Sequence, residues 1–524
     1  MRINRRYLPL ILVVLLSCQF VVAEKKPNLT ADIDKILAEP DVARGFWGIE
    51  VVSLTTGKTL YSHDADKLFT PASNTKLFTT AAVLSLVGPD YKFKTTVETP
   101  GNVDKRGRLN GDLVLVGRGD PNLSGRALPY NMRTQRTLPP LKVLEELADQ
   151  VVQKGVRYID GDIVGDDSYY AFERYGEGWT QDDLVWEWGA PVSALTINDN
   201  VVFVTIQPAD HAGDKAFINI APFADYYRID NRVLTTPQGT GPRKVYITRE
   251  PGANQITFWG NIPLDDPGAT EALAIEDPAN FAAQVFRGLL EQRGVVIYGR
   301  PRTRHTELAK LTTITVTTTA PAGGGEMQSI PPAQPQQLVL ASYDSQPLSQ
   351  DIRVILKISQ NLHAELALRL LGREKGAAGT IEAGLEVLHG FLTQAGLQND
   401  EYVFFDGSGL SRQNLVTPHA IVKLLRYAST QPWYPLFEGS LPVAGLDGSL
   451  ADRLRNSDAQ GHVFGKTGSL GHVNTLSGYA ETKKGDKVVF SIMGNNHDLH
   501  GRRALDAIDE IMETIIADTP AAKK

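Results

Sequence analysis

Cysteine is nearly absent from this chain, because Cys18 is the only one among 524 residues. A single cysteine excludes any intramolecular disulfide. An excess of basic residues is also lacking, and the formal net charge of −7 argues against a protein that binds nucleic acid. No internal repeat is visible, and 42% hydrophobic with 22% charged residues is typical of a globular protein. The length favours two or three domains.

Long apolar runs are missing except near the N-terminus. Three arginines within residues 2–6 precede an almost wholly apolar stretch at 8–16, and small residues follow up to Ala23. This order predicts a secretory signal peptide over residues 1–23, cleaved on export. A membrane anchor is disfavoured because the apolar run is short for a membrane span.

The surroundings of Cys18 leave an alternative open. Leu15-Leu16-Ser17 before Cys18 resembles a bacterial lipoprotein cleavage box, and lipidation there would tether the protein. An exported chain without disulfides fits a bacterial envelope better than an animal secretory route. We therefore expect the bacterial periplasm or extracytoplasmic envelope, with weak envelope association.

Hydrophobic spacing and turn residues predict both helices and strands. The predicted helices are 29–40, 73–86, 141–154, 352–371 and 503–516, and the predicted strands are 46–53, 59–62, 112–116, 244–248, 255–259, 476–480 and 488–493. Short β-like runs dominate the middle of the chain, where one helix is predicted. Residues 321–337, rich in Pro, Gly and Gln, predict a flexible crossing.

The two ends of the chain resemble each other in kind, and the middle differs from both. We therefore expect one discontinuous α/β (α+β) domain assembled from residues 24–96 and 338–524. Residues 97–337 would form a β-rich insertion between the two halves.

Residues 73–76, Ser-Asn-Thr-Lys, lie at a predicted helix start. Ser73 and Lys76 are three residues apart, so they fall on one helix face. A helix N-terminus favours negative charge on the serine oxygen, and a desolvated lysine near another cation can act as a base. Such a spacing occurs by chance about once in a chain of this size, and alone an ordinary capped helix explains it better.

Two further elements change that balance. Residues 359–361, Ser-Gln-Asn, fall in the predicted helix 352–371, and Lys466-Thr467-Gly468-Ser469 precedes a predicted strand. The Lys466 ammonium and Thr467 hydroxyl can hold a carboxylate, and Gly468 permits close approach of an acyl group. Each element alone fits helix-surface polarity or a simple turn. Together and in this order they indicate an acyl-transfer enzyme with Ser73 as nucleophile.

The three motifs in this order resemble the signature of penicillin-binding proteins and serine β-lactamases. Five further segments are similar to the class C, low-molecular-mass penicillin-binding proteins, the D-Ala-D-Ala carboxypeptidase/endopeptidases. These segments are 117–123, 190–200, 361–365, 406–412 and 441–445. The resemblance covers about residues 30–516, and it implies a β-lactamase-like transpeptidase domain whose insertion forms one or two domains.

The resemblance implies a role for each catalytic position. Ser73 would attack the carbonyl between two D-Ala residues, and Lys76 would take its proton. Ser359 would pass a proton to the leaving amine. Asn361 would orient Lys76 and the substrate amide.

The third motif would bind the substrate. Lys466 and Thr467 would hold the terminal carboxylate beside Gly468, and the backbone N–H groups of Ser469 and Ser73 would form an oxyanion hole. The expected partners are peptidoglycan stem peptides, with β-lactam antibiotics as covalent inhibitors. Neither a cofactor nor a metal is expected.

Two other functions stay open on this scaffold. A β-lactamase or esterase would need fast deacylation, and the large insertion favours a cell-wall enzyme instead. A noncatalytic peptidoglycan-binding protein would have no reason to keep a serine nucleophile beside a lysine.

Three other patterns give weaker support for a function. Ser408 lacks the Gly-x-Ser-x-Gly context of a nucleophile elbow. His497 and His500 lack a third metal ligand in view. For Trp179, Trp186 and Trp188, core packing or anchoring of the inserted region is favoured over a sugar site.

Overall fold

The computed structural model describes residues 28–128, 136–309, 311, 337–497 and 502–518. The predicted signal peptide with Cys18, His500 and all but the last residue of the predicted crossing lie outside these ranges. Within them, no helix combines the length and apolar character that a membrane span requires.

The α-helices of the described ranges include α1 (Leu29–Leu37), α2 (Thr75–Leu86), α3 (Lys142–Gln153), α4 (Pro278–Gln292), α5 (Leu348–Lys357), α6 (Asn361–Lys375), α7 (Ile381–Gln394), α8 (Pro418–Ser429), α9 (Tyr434–Gly439) and α10 (Arg503–Asp518).

The strands are β1 (Phe46–Ser53), β2 (Thr59–His63), β3 (Lys94–Thr99), β4 (Asn102–Val103), β5 (Arg108–Asn110), β6 (Leu113–Val116), β7 (Tyr158–Ile159), β8 (Ile163–Ala171), β9 (Val201–Gln207), β10 (Phe217–Ala221), β11 (Arg228–Thr236), β12 (Lys244–Thr248), β13 (Gln255–Pro263), β14 (Ala269–Ala274), β15 (Val296–Ile297), β16 (Pro301–Thr306), β17 (Leu338–Asp344), β18 (Tyr402–Val403), β19 (Leu415–Val416), β20 (Val463–Leu470), β21 (Val473–Glu481) and β22 (Lys487–Asn495).

The predicted α/β fold class is confirmed, and its first sheet joins the two ends of the chain. Five antiparallel strands run in the order β2-β1-β22-β21-β20, so β1 from the N-terminal part pairs with β22 from the C-terminal part. The side chains of Ile49, Ile492 and Leu476 lie in one buried row across the three inner strands. Because β1 and β22 are buried along almost their whole length, they read as continuous apolar runs.

Helices cover both faces of this sheet. Residues of α1 and α10, such as Ile33 and Ile511, pack with Ile49 in one apolar cluster. Residues of α2 and α8, such as Leu77 and Leu424, pack in a second cluster that also contains helices α5 to α7. The sheet is therefore a central layer, with α2 buried between it and the other helices.

The single helix predicted over 352–371 is wrong, because two helices occupy this region. The first, α5, ends at Lys357, and α6 begins at Asn361. Ser359 lies between them with φ +63°, and the Gln360 side chain accepts a hydrogen bond from Leu362 N at 2.8 Å. Both helices bury apolar residues in the same core, which is why the apolar spacing continues across the break.

The described residues of the middle of the chain form four further sheets and one large apolar cluster. The sheets have the strand orders β16-β8-β6-β3-β17, β10-β9-β14, β11-β13-β12 and β15-β7-β5-β4. The expectation of one helix there is wrong, since α4 packs beside α3 in the same cluster. The sequence contains start signals for α4. The Asp277 side chain accepts a hydrogen bond from Asn280 N at 3.1 Å, and Pro278 is the first residue of the helix.

The chain enters and leaves the middle region through neighbouring strands. Strands β3 and β17 pair antiparallel, with Val97 opposite Ala341. The division into residues 24–96, 97–337 and 338–524 stays a prediction, and its first border falls inside β3.

Removing the central side chain of the first sheet should weaken the link between the two chain ends. Ile492→Ala deletes a fully buried side chain, and we expect unfolding free energy to fall by about 2–5 kcal/mol. Phe46→Ala on β1, where the ring is 62% exposed, should change stability by no more than about 0.5 kcal/mol. Chemical denaturation monitored by fluorescence would compare the two, and equal effects would contradict this packing.

Candidate active site

Ser73 lies on a short turn that the first sheet holds in place. The turn is the 3₁₀ helix Ala72–Asn74, and α2 begins just after it. The Asn74 side chain donates to Ser477 Oγ at 2.7 Å, and Thr475 Oγ1 donates to Pro71 O at 3.1 Å. Both partners are on β21, so the position of Ser73 is set by the sheet as well as by α2.

The Lys76 amine is fully buried and has three oxygen partners. Its Nζ lies 2.8 Å from Ser73 Oγ, 2.6 Å from Asn361 Oδ1 and 2.6 Å from Ser408 O. A carbonyl oxygen can only accept, so a neutral amine donates its two protons to Asn361 and Ser408. Its lone pair then faces the Ser73 hydroxyl, which is the geometry of a general base.

The Asn361 amide is oriented from the middle region. Its Nδ2 donates to the main-chain oxygen of Trp188 at 2.8 Å, which leaves Oδ1 facing Lys76. The amide orientation therefore follows from its hydrogen-bond partners.

Burial also changes the charge of the site. It lowers the pKa of Lys76 to about 7, although Asp406 and Glu365 act in the opposite direction. Burial and the neighbouring Lys76 hold the pKa of Lys466 well below its ordinary value. A substantial fraction of Lys76 is thus neutral near pH 7 and able to accept a proton.

Ser359 is held at the break between α5 and α6. Its hydroxyl accepts from Lys466 Nζ at 2.8 Å, and the same nitrogen donates to Thr467 O at 2.7 Å. The φ of +63° is unfavourable for a non-glycine residue and persists only where the surroundings hold it. Lys357 at the end of α5 supports the break through a buried ion pair with Asp447 at 2.7 Å.

Strand β20, which carries residues 466–469, forms the edge of the first sheet. Thr467 Oγ1 lies 2.6 Å from Ser449 Oγ, and Ser469 Oγ accepts from Asn474 Nδ2 at 3.0 Å. A Cβ on Gly468 would lie 2.2 Å from Thr475 Oγ1 and 3.1 Å from Ser73 N. Only glycine allows this strand to approach the Ser73 turn so closely.

The loop that presents Ser408 O is fixed by two buried carboxylates. Glu365 accepts from the backbone N–H groups of residues 407 and 408 at 3.0 and 2.9 Å, and Asp406 accepts from Gly409 N at 2.8 Å. Sequence reasoning gave Ser408 no part in the site. A tight Gly-Ser-Gly turn beside an acidic residue was the signal that could have indicated it.

A cavity of about 340 Å³ opens beside Ser73. Its walls come from all three motif regions and from the middle of the chain: Ser73, Asp183, Trp188, Asn361, Gly409, Leu410, Arg412, Ser469, Leu470 and Gly471. A larger cavity of about 780 Å³ beside α4 contains none of the motif residues. The first cavity is therefore the candidate active site, because Ser73 and Asn361, the two side chains that contact the perturbed Lys76, both line it.

The three tryptophans that the sequence singled out lie beside the site, and Trp188 lines its cavity. Trp179 Nε1 donates to Asp406 at 2.9 Å, and Trp186 stacks on Trp188 with ring centres 5.4 Å apart. No group of three or more His, Cys, Asp or Glu side chains in the described ranges is arranged to hold a metal ion.

The charge state of Lys76 can be measured directly. In protein labelled with ¹³C at the lysine ε-carbon, we expect one resonance to titrate with a midpoint of about 7, because burial disfavours the ammonium. That resonance should vanish in Lys76→Met. A midpoint near the ordinary lysine value of about 10.4 would contradict the buried geometry.

Several known proteins are similar to this chain in sequence or in fold. The profile of the D-Ala-D-Ala carboxypeptidase 3 (S13) family matches residues 29–322 and 325–515. A D-alanyl-D-alanine carboxypeptidase of Actinomadura sp. is 34% identical over 505 residues, which covers 94% of this chain and 86% of that protein. The D-alanyl-D-alanine carboxypeptidase DacB of Haemophilus influenzae is 24% identical over 448 residues, covering 84% of each chain.

Among solved structures, penicillin-binding protein 4 of Haemophilus influenzae superposes with a TM-score of 0.75 at 22% identity, covering 93% of this chain and 98% of that one. This likeness confirms the fold. The profile match over nearly the whole chain and the 34% identity together show that the chain belongs to the D-Ala-D-Ala carboxypeptidase 3 (S13) family.

Proposed function

We propose that this chain is a serine-type D-Ala-D-Ala carboxypeptidase/endopeptidase that acts on peptidoglycan stem peptides through an acyl-enzyme on Ser73. The observation that carries the proposal is the Lys76 amine, which is 2.8 Å from Ser73 Oγ and bound to two obligate acceptors on its other sides. Family membership supports the reaction class, and the buried lysine supports the mechanism.

Acylation begins with the transfer of the Ser73 proton to Lys76 while Oγ bonds to the carbonyl carbon between two D-Ala residues. The resulting oxyanion accepts from the backbone N–H groups of Ser73 and Ser469, and loss of one such donor costs about 3 kcal/mol. Collapse breaks the C–N bond. Ser359, whose hydroxyl is hydrogen-bonded to Lys466, gives its proton to the leaving amine and receives the proton that Lys76 took from Ser73, so Lys76 becomes neutral again.

Binding of the substrate carboxylate prepares Lys76 for this role. The terminal carboxylate lies against Lys466 and the Thr467 hydroxyl at the edge strand, where its charge favours the protonated form of Lys466. A protonated Lys466 in turn disfavours a proton on Lys76, since the two amines repel each other in the buried site. Substrate binding thus promotes the base form.

Release of the acyl group needs water. A water proton passes to the neutral Lys76 amine, the hydroxide oxygen bonds to the acyl carbon, the ester bond to Ser73 breaks, and Ser73 Oγ takes the proton back from Lys76. A β-lactam would form the same ester by ring opening, so it would block the enzyme when water attacks slowly. Penicillin-binding protein 4 of Haemophilus influenzae has been solved in complex with a β-lactam, which supports β-lactams as covalent inhibitors here.

Cell location and domain division remain parts of the proposal. Export to the bacterial periplasm or envelope, by cleavage after residue 23 or by lipidation at Cys18, follows from the N-terminal pattern. The three-part division places the acyl-transfer machinery in residues 24–96 and 338–524.

Ser73→Ala should abolish covalent labelling by a fluorescent penicillin, because the attacking oxygen is removed. Ser429→Ala on α8 makes the same chemical change outside the cavity and should label fully. Intact-mass spectrometry with circular dichroism would check the adduct and the fold. Labelling of folded Ser73→Ala would refute the nucleophile assignment, and no adduct on the folded parent protein would refute the acyl-enzyme.

Purified muropeptides should identify the reaction. Incubation with monomeric pentapeptides and cross-linked dimers, followed by mass spectrometry, should show loss of one D-Ala or cleavage of the dimer, and neither with Ser73→Ala. D-Ala release indicates the carboxypeptidase and dimer cleavage the endopeptidase. Rapid penicillin hydrolysis without either product would instead favour the β-lactamase, and unchanged substrates would favour a binding protein.

A further inference from the structure

The middle region contains a backbone that L-residues rarely adopt. Asn198, Asp199 and Asn200 have φ angles of +51°, +56° and +53°, so three consecutive non-glycine residues are left-handed. Such a run is unfavourable and persists only when its surroundings hold it. Here Asn198 Nδ2 donates to Val201 O at 3.0 Å, and Asn200 Nδ2 donates to Pro191 O at 2.8 Å.

This turn places the Asp199 carboxylate in the interior. Asp199 is buried and pairs with Arg126 and with Arg136, the latter at 2.9 Å. Burial alone would raise the pKa of Asp199, but the two arginines and His363 hold it well below its ordinary value. The group is therefore a permanent negative charge in a place that a flexible loop could not maintain.

The remaining contacts of Asp199 reach the second motif. Gln360 Nε2 donates to Asp199 Oδ2 at 3.3 Å, and His363 Nε2 lies 3.3 Å from Asp199 Oδ1. The other ring nitrogen of His363 is 2.6 Å from Asp351 on α5. Asp199 thus contacts Gln360, just before Asn361, and His363, two residues after it, and through His363 it connects the start of α6 to α5.

We propose that Asp199 is a positioning residue for acyl transfer, which holds the strained break at Ser359 and the start of α6 so that Asn361 aligns Lys76 with Ser73. The inference rests on the proposed function. It assigns the inserted middle region a part in the catalytic geometry, since both Asp199 and the Trp188 carbonyl that binds Asn361 come from it.

The alignment of Lys76 with Ser73 tolerates little movement of Asn361. Lys76 acts as a base only while its lone pair faces Ser73, and this depends on the place of Asn361 Oδ1, 2.6 Å from Nζ. Misplacement of a reacting group by about 1 Å can lower a rate by about 10²-fold. Two contacts from one charged group, on both sides of Asn361 in sequence, limit that movement.

The test measures acylation per active site in Asp199→Asn. A fluorescent penicillin would give two quantities by rapid quench, the burst amplitude and the acylation rate constant. We expect full burst amplitude with an acylation rate constant lowered about tenfold to 10²-fold. The concentration of penicillin at half-maximal rate should change little, since Lys466 and Thr467, which hold the carboxylate, are untouched. A purely structural role would lower the amplitude and leave the rate constant unchanged, and that result overturns the proposal.

Glu276→Gln is the matched control, because Glu276 is another buried carboxylate of the middle region that pairs with two arginines, Arg174 and Arg249. Its rate constant per titrated site should equal that of the parent protein. An equal fall in both variants would overturn the proposal, since it would show general loosening of the middle region. Failure of the parent protein to form any adduct would refute the proposed function itself, and with it this inference.

A second variant covers the case in which Asp199→Asn does not fold. Gln360→Ala removes one of the two side-chain contacts, from Gln360 and from His363, that Asp199 makes around Asn361. Position 360 is partly buried. Its rate constant should fall several-fold at full burst amplitude. An unchanged rate constant in Gln360→Ala would also overturn the proposal.

Discussion

The buried amine of Lys76 is the constraint on which the rest of the site depends. Burial lowers its pKa to about 7, and the two obligate acceptors, Asn361 Oδ1 and Ser408 O, leave one direction free for the serine. Each acceptor needs its own support. The carbonyl of Ser408 is held by the buried Glu365 and Asp406, while the Asn361 amide is oriented by a main-chain oxygen of the middle region. The position of this one lysine therefore depends on helices, on a loop and on the middle region of the chain.

The first sheet explains why both ends of the chain are needed. Strand β1 is one of three inner strands of a layer whose other two inner strands, β22 and β21, come from the C-terminal part of the chain, and the Ser73 turn is hydrogen-bonded to β21. Gly468 then brings the edge strand against that turn. Ser73 and Lys466 are separated in sequence by the whole middle region of the chain and by further residues on both sides of it. The sheet brings them close in space, because antiparallel pairing does not depend on the separation of two strands in sequence.

The middle region of the chain contributes directly to the site. It closes one wall of the cavity with Asp183 and Trp188, and its left-handed turn directs a buried carboxylate at the second motif. Strain of this kind is found where a precise geometry matters, since the surrounding contacts must offset it.

The sequence by itself determined the fold class, the family and the identity of the three motifs. Hydrophobic runs and turn residues located β1 and β12 at their observed ends, and the order of Ser73, Ser359 and Lys466 indicated acyl transfer. It did not reveal the helix break at Ser359 or the part of Ser408 O. Apolar spacing reports only that a segment faces a core, and both helices at the break face the same one. Only the tertiary structure decided where the backbone leaves the helix and which main-chain oxygen meets Lys76, because a positive φ and a carbonyl contact depend on partners that are distant in sequence.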